Sequence, residues 1–85
     1  MKKYYVDLEY SSIYVYTERE LTEEIVYRLG GECFGLRKCM GECKELTLVE
    51  EDKDENLEDI TIISNCGDYN IFKGDNYIMN TSYLD

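Results

Sequence analysis

The sequence predicts an α+β fold: a mostly antiparallel sheet of five to seven short strands with one amphipathic helix, in the order ββα then βββ or more. Three observations carry this. Two alternating apolar runs open the chain and a helical spacing of apolar residues follows them. Short β-rich runs separated by Gly, Asp and Asn turns then fill the second half. The 85 residues, 10.0 kDa in mass, read as a single domain, 1–85, with no internal repeat or linker. Such a chain folds to roughly 5,200 Å² of surface and buries about 64% of what it exposes unfolded, enough for one small core.

Tyr4 to Tyr10 alternates as Tyr4, Val6, Leu8 and Tyr10 against Tyr5, Asp7 and Glu9. Ile13 to Thr17 alternates as Ile13 and Val15 against Tyr14 and Tyr16. These are two strands joined at Ser11-Ser12. With an even turn, Tyr10 faces Ile13, Leu8 faces Val15 and Val6 faces Thr17, so one face of the hairpin is apolar. The other face holds Tyr5, Asp7, Glu9, Tyr14 and Tyr16. Thr17 with Glu20 three positions on forms a capping box. Leu21, Ile25, Val26 and Leu29 then recur at i, i+4, i+5 and i+8 before Gly30-Gly31, which predicts a helix of about three turns. Glu18, Glu20, Glu23 and Glu24 fall in its first turn, where the helix dipole favours anions, and leave an acidic outer face.

Gly30 to Cys43 is rich in glycine and cysteine, and a short strand at Cys33 to Arg37 is the expectation there. Leu46 to Val49 and Ile60 to Asn65 are stronger strands, β-branched and leucine-rich, with an almost wholly charged segment between them. Cys66-Gly67-Asp68 reads as a turn. Tyr69 to Lys73 and Tyr77 to Tyr83 follow as strands around Gly74-Asp75-Asn76.

Nineteen Asp and Glu against nine Lys and Arg give a net charge of −10. Such a chain repels DNA, RNA and anionic lipid, so direct binding to nucleic acid or membrane is not expected. The absence of histidine removes the usual general base and the commonest metal ligand together. Behind Lys2-Lys3 there is no apolar run of the ~7 or more residues a secretory signal needs, and no stretch suits a bilayer span. The chain is therefore expected in the cytoplasm, with Cys33, Cys39, Cys43 and Cys66 as reduced thiols. An even cysteine count leaves oxidation open, with three connectivities.

The charge is uneven. Residues 49–60 hold seven carboxylates and one lysine: Glu50, Glu51, Asp52, Asp54, Glu55, Glu58 and Asp59 around Lys53. One reading is a solvated connector between strands. The other is a surrogate for phosphates, because a groove that binds a duplex is lined with cations matched to about one phosphate charge per 1.7 Å of axis. Carboxylates fill the same places. Glu20, Glu23 and Glu24 on the helix extend that acidic set. The nine tyrosines exceed what a small core hides, and Tyr14 and Tyr16 beside Tyr5 form an aromatic patch of the kind that anchors protein interfaces. Strand propensity or a covering second layer also accounts for tyrosines at these positions.

Residue spacing argues against other chemistry. Cys33-x5-Cys39-x3-Cys43 with a distant Cys66 offers four thiolates to zinc, but only one gap falls in the usual window, and no cofactor is expected. Asp52-x-Asp54-x-Asn56 opens like a calcium loop and fails at its glycine and glutamate positions, Leu57 and Ile63. A cysteine nucleophile would rely on Arg37, Lys38 or Lys44 alone. A chain this short leaves little room for a substrate cleft, so an enzyme is not expected.

In size, α+β order and its acidic sets, Glu18, Glu20, Glu23, Glu24 and Glu50 to Asp59, the chain resembles the small acidic antagonists made by phages and mobile elements. Anti-CRISPR proteins and DNA-mimicking restriction inhibitors are examples. The resemblance implies a stoichiometric, non-enzymatic protein in the bacterial host cell. Its partner would be a basic protein, a nucleic-acid-binding nuclease or CRISPR effector, whose groove it occludes. An immunity protein or antitoxin against a basic nuclease works by the same mechanics. A zinc-stabilised adaptor domain using the four cysteines is the alternative from another class. Oligomeric state stays open.

Overall fold

The computed structural model describes residues 1–34, 36–51, 59–65 and 67–82. Strands β1 (Lys2–Leu8) and β2 (Ser12–Thr17) lead to helix α1 (Glu23–Phe34) and a single helical turn, α2 (Leu36–Cys39). Strands β3 (Cys43–Glu51), β4 (Ile60–Asn65), β5 (Asp68–Lys73) and β6 (Asn76–Ser82) follow. All six strands form one sheet in the order β3-β1-β2-β4-β5-β6, every neighbouring pair antiparallel. The fold is the α+β architecture expected, with β3 returning to the far side of β1. That return leaves β3 and β6 as the two edges.

Alternation along each strand sends one set of side chains to the face that α1 covers. Tyr4, Val6 and Leu8 of β1, Ile13 and Val15 of β2, Ile63 of β4 and Phe72 of β5 are buried there with Leu21, Val26 and Leu29. Burying these side chains is the main source of stability, at about 1.5–3 kcal/mol for each large aliphatic. Two polar contacts are built into this face: the Thr17 and Thr61 hydroxyls lie 2.9 Å apart, and the Tyr4 hydroxyl accepts from the Leu21 amide at 3.2 Å.

The hairpin register differs from the one expected. Val6 lies opposite Ile13 and Tyr4 opposite Val15, a slip of four residues. An even slip returns every side chain to its own face, so the apolar face is intact. The reason lies in the turn, where the Glu9 and Tyr10 amides donate to the carbonyls of Glu42 (2.9 Å) and Met40 (2.8 Å) instead of joining β2. Tyr10 leaves the strand and is 71% exposed. The crossing segment approaches so closely that a Cβ on Gly41 (φ +83°) would meet the Glu9 Cβ at 2.5 Å, which only glycine avoids.

Three other expectations are corrected. The capping box does not form: Thr17 ends β2 with its hydroxyl already engaged in the sheet, and Thr22 caps α1 by accepting from the Ile25 amide at 3.3 Å. Leu21 before the cap and Val26 after it are both buried, the pairing of a hydrophobic staple. Glu18 and Glu20 therefore precede the helix, and only Glu23 and Glu24 occupy its first turn. Gly30-Gly31 does not end α1, because packing of Val26 and Leu29 outweighs the roughly 1 kcal/mol that an interior glycine costs. No strand forms over Cys33–Arg37; Cys33 and Phe34 finish α1, and α2 follows, in keeping with the helix propensity of Glu32, Leu36, Arg37, Lys38 and Met40. Among the described residues no helix is long and apolar enough to cross a membrane.

Candidate functional site

Nine of the described acidic residues fall into three groups with different electrostatic environments. Asp59, the one non-glycine among the described residues in a left-handed conformation, at φ 64°, is held at the start of β4 by its own side chain and by its carbonyl, which accepts from the Gly74 amide at 2.8 Å. Arg19 Nε lies 3.6 Å from Asp59 Oδ1, and Arg19 Nη1 lies 3.1 Å from Asp75 Oδ1. Arg28 Nε of α1 adds a contact at 3.3 Å to Asp75 Oδ2. Two arginines thus neutralise two aspartates, tying the link before α1 to the β5–β6 turn. Asp59 is exposed, yet its charge is already spent within the chain.

Arg19, through its hydrogen bond, and Arg28 hold the Asp75 carboxyl below the usual aspartate range. A depressed folded-state pKa stabilises the fold at pH above the unfolded value of about 4, and the contribution disappears as pH falls through the folded value. Asp75→Asn is therefore expected to lower the melting temperature at pH 7, with the difference from wild type closing below about pH 4. A gap that stayed constant down to pH 2 would dismiss the Arg19–Asp75–Arg28 network as the source.

The second group lies along the edge strand β3. Glu42 just before it, then Glu45, Glu50 and Glu51, are exposed, and none is ion-paired with a described residue. Glu50 sits opposite Lys3 and Glu51 opposite Lys2. Those lysines face elsewhere: Lys2 Nζ donates to the Glu18 carbonyl at 3.1 Å, and Lys3 Nζ lies over the Tyr14 ring. Register pairing lowers the local field without closing an ion pair.

The third group opens α1. Glu23 and Glu24 are exposed in its first turn, and Glu20 is exposed in the link before it. Glu23 reaches the start of β3, where burial and then the Glu23 charge, with Asp7, push the Cys43 thiol up from its ordinary value. The Cys43 amide donates to the Tyr27 hydroxyl at 2.5 Å, which fixes α1 against this strand. Glu23 and Glu50–Glu51 thus mark opposite ends of β3, about 25 Å apart at the usual strand rise. Asp52, Asp54, Glu55 and Glu58 lie outside the described residues.

The face of the sheet away from α1 carries the aromatic patch. Across the register, Thr47, Tyr5, Tyr14, Ser64, Tyr69 and Thr81 form one row. Glu50, Lys3, Tyr16, Ile62, Ile71 and Met79 form the next. The Tyr5 and Tyr14 rings pack at 5.3 Å between centroids, and Lys3 Nζ stands 4.6 Å from the Tyr14 centroid and 5.6 Å from that of Tyr16. The patch expected from sequence is present, with one change of membership. Glu9 has left with the turn, and Lys3 has entered as a cation held over two rings. Tyr69, Ile62, Ile71 and Met79 were missed because their face is assigned only once β4 pairs with β2.

Of the four cysteines, Cys39 is exposed and Cys43 half-buried, both free thiols. Among the described residues no three His, Cys, Asp or Glu side chains gather where they could hold a metal ion. The Cys33 side chain and Cys66 lie outside those described. Comparison of the chain with protein-family models, curated proteins and solved structures finds no match.

Proposed function

We propose that this is a non-enzymatic acidic binding protein that occludes the basic, nucleic-acid-binding surface of a bacterial defence effector, in the manner of an anti-CRISPR inhibitor. One observation carries the reading. The carboxylates of β3 and of the α1 first turn are exposed and unpaired with described residues, whereas Arg19 and Arg28 are both committed to Asp59 and Asp75. Those two arginines are not available to the carboxylates of β3.

Charge density decides which residues make the contact. Over the roughly 25 Å of β3, a duplex presents about 15 phosphate charges. Glu42, Glu45, Glu50 and Glu51 supply four carboxylates. The strand alone is too sparse to stand in for a duplex, so the proposal includes Asp52, Asp54, Glu55 and Glu58, which follow it in sequence. Tyr14 and Tyr16 give the same partner an aromatic anchor on the adjoining face. An immunity protein or antitoxin would use the same surface against a basic nuclease.

Immobilised protein incubated with bacterial lysate is expected to retain a basic protein at low salt. That protein should elute as salt rises and be displaced by added duplex DNA or structured RNA. Retention through high salt together with indifference to polynucleotide would reject occlusion of a nucleic-acid groove.

A further inference from the structure

The two edges of the sheet are protected very differently. β3 carries Lys44, Glu45, Glu50 and Glu51, and its pairing with β1 shifts register twice. Charges and bulges are the devices by which edge strands avoid joining other chains. β6 has a single register shift and no charged side chain from Asn76 to Ser82, in a chain that is 33% charged. Three consecutive large side chains on it are exposed: Tyr77 49%, Ile78 49% and Met79 48%. Among the described residues, no strand pairs with its outer row of backbone donors and acceptors.

We propose that β6 is a self-association edge, on which a second copy of this chain pairs β6 to β6, antiparallel about a two-fold axis. Charge selects that occupant. Two chains of net charge −10 repel wherever their acidic surfaces meet, and an isologous β6 contact is the arrangement that brings neutral strand to neutral strand. Self-pairing of β3 about a two-fold would gather Glu45, Glu50 and Glu51 of both copies along one seam, with Lys44 the one cation on each strand to offset them, a less favourable seam than an uncharged one. Head-to-tail pairing of β3 with β6 would build an open filament instead of a closed dimer. The β6 pairing yields a twelve-stranded sheet with both helices on one side. On the other side the rows ending at Met79 and Thr81 run on into the second copy.

One strand of seven residues buries less than the roughly 1,200 Å² of a standard interface, so the dimer is weak, with micromolar dissociation. Salt tightens it by screening repulsion between the copies. That is the opposite of the salt response proposed for the acidic surface, so the two contacts are separable.

Sedimentation velocity of the full chain from about 5 to about 500 µM, a range bracketing a weak interface, is expected to show a monomer–dimer equilibrium. It should shift toward dimer between about 50 and 500 mM salt. Ile78→Lys places like charges near the two-fold and raises the dissociation constant by about tenfold or more. Val49→Lys, at a 52% exposed position on the other edge, leaves it unchanged. A monomer at every concentration, or a dimer broken by Val49→Lys and not by Ile78→Lys, overturns the proposal. Should Ile78→Lys fail to fold, amide exchange on the wild type decides. Residues 76–82 should exchange more slowly at high than at low protein concentration. Protection that is independent of concentration, or that arises only when a foreign extended peptide is added, overturns self-pairing.

Discussion

Reversing Glu50, Glu51, Asp54 and Glu55 to lysine together is expected to slow association with the proposed basic partner by about 100-fold, because a steered encounter loses both its attraction and its orientation. Each reversal adds two charges, so the net charge moves from −10 to −2. The register foresees a side effect. Glu50 and Glu51 lie opposite Lys3 and Lys2, so reversal sets lysine against lysine across β1 and β3, at about 0.2–1 kcal/mol per pair. Glu50→Gln with Glu51→Gln avoids that and should lower affinity with little change in stability. Asp75→Asn does the converse, weakening the Arg19 and Arg28 network while leaving the partner bound. Surface plasmon resonance with each variant against the captured partner reads these differences. Equal affinity for wild type and the fourfold reversal would exclude this stretch as the contact.

Ile63→Ala is expected to remove about 3–4 kcal/mol of folding stability, since it empties a fully buried site with little room to collapse. Ile63 is 0% exposed, lies between Val15 of β2 and Asn70 of β5, and belongs to the cluster that packs against α1. A domain of this size holds about 5–10 kcal/mol in total, so the variant sits near the limit of remaining folded. Urea unfolding should show a lower midpoint with an unchanged slope. A loss below about 1 kcal/mol would mean that the centre of the sheet is not the close-packed site described.

Period-2 and period-3.6 patterns were sufficient wherever one side of an element is buried. Ile60 to Asn65 falls on β4, the alternation of Tyr4, Val6 and Leu8 gives the buried face of β1, and Ile25, Val26 and Leu29 of α1 all pack in or against the core. The pattern failed where tertiary partners compete for the same groups. Thr17 satisfies cap chemistry on paper, but Thr61 takes its hydroxyl, and Thr22 inherits the cap. The hairpin turn widened because carbonyls of Met40 and Glu42, some thirty residues on, claim the amides of Tyr10 and Glu9. No local rule foresees a contact at that separation.

Legibility of the candidate site followed the same division. Tyr14 and Tyr16 share a face by alternation alone. That Lys3 lies over both rings, that Glu50 and Glu51 lie opposite lysines and that Asp59 is tied to Arg19 depend on register and on long side chains. A count of carboxylates treats Asp59 and Glu51 alike. The fold pairs one with Arg19 and, among the described residues, gives the other no ion pair.

Carboxylates of β3 and of the residues that follow it in sequence are proposed to take the places of phosphates on a basic partner. A crystal structure of the complex tests this most directly. The account predicts Arg and Lys side chains of the partner within salt-bridge distance of Glu50, Glu51 and the carboxylates at 52–58, on the surface where the partner otherwise holds a polynucleotide. A complex joined only through uncharged surface, with those carboxylates facing water, would contradict it.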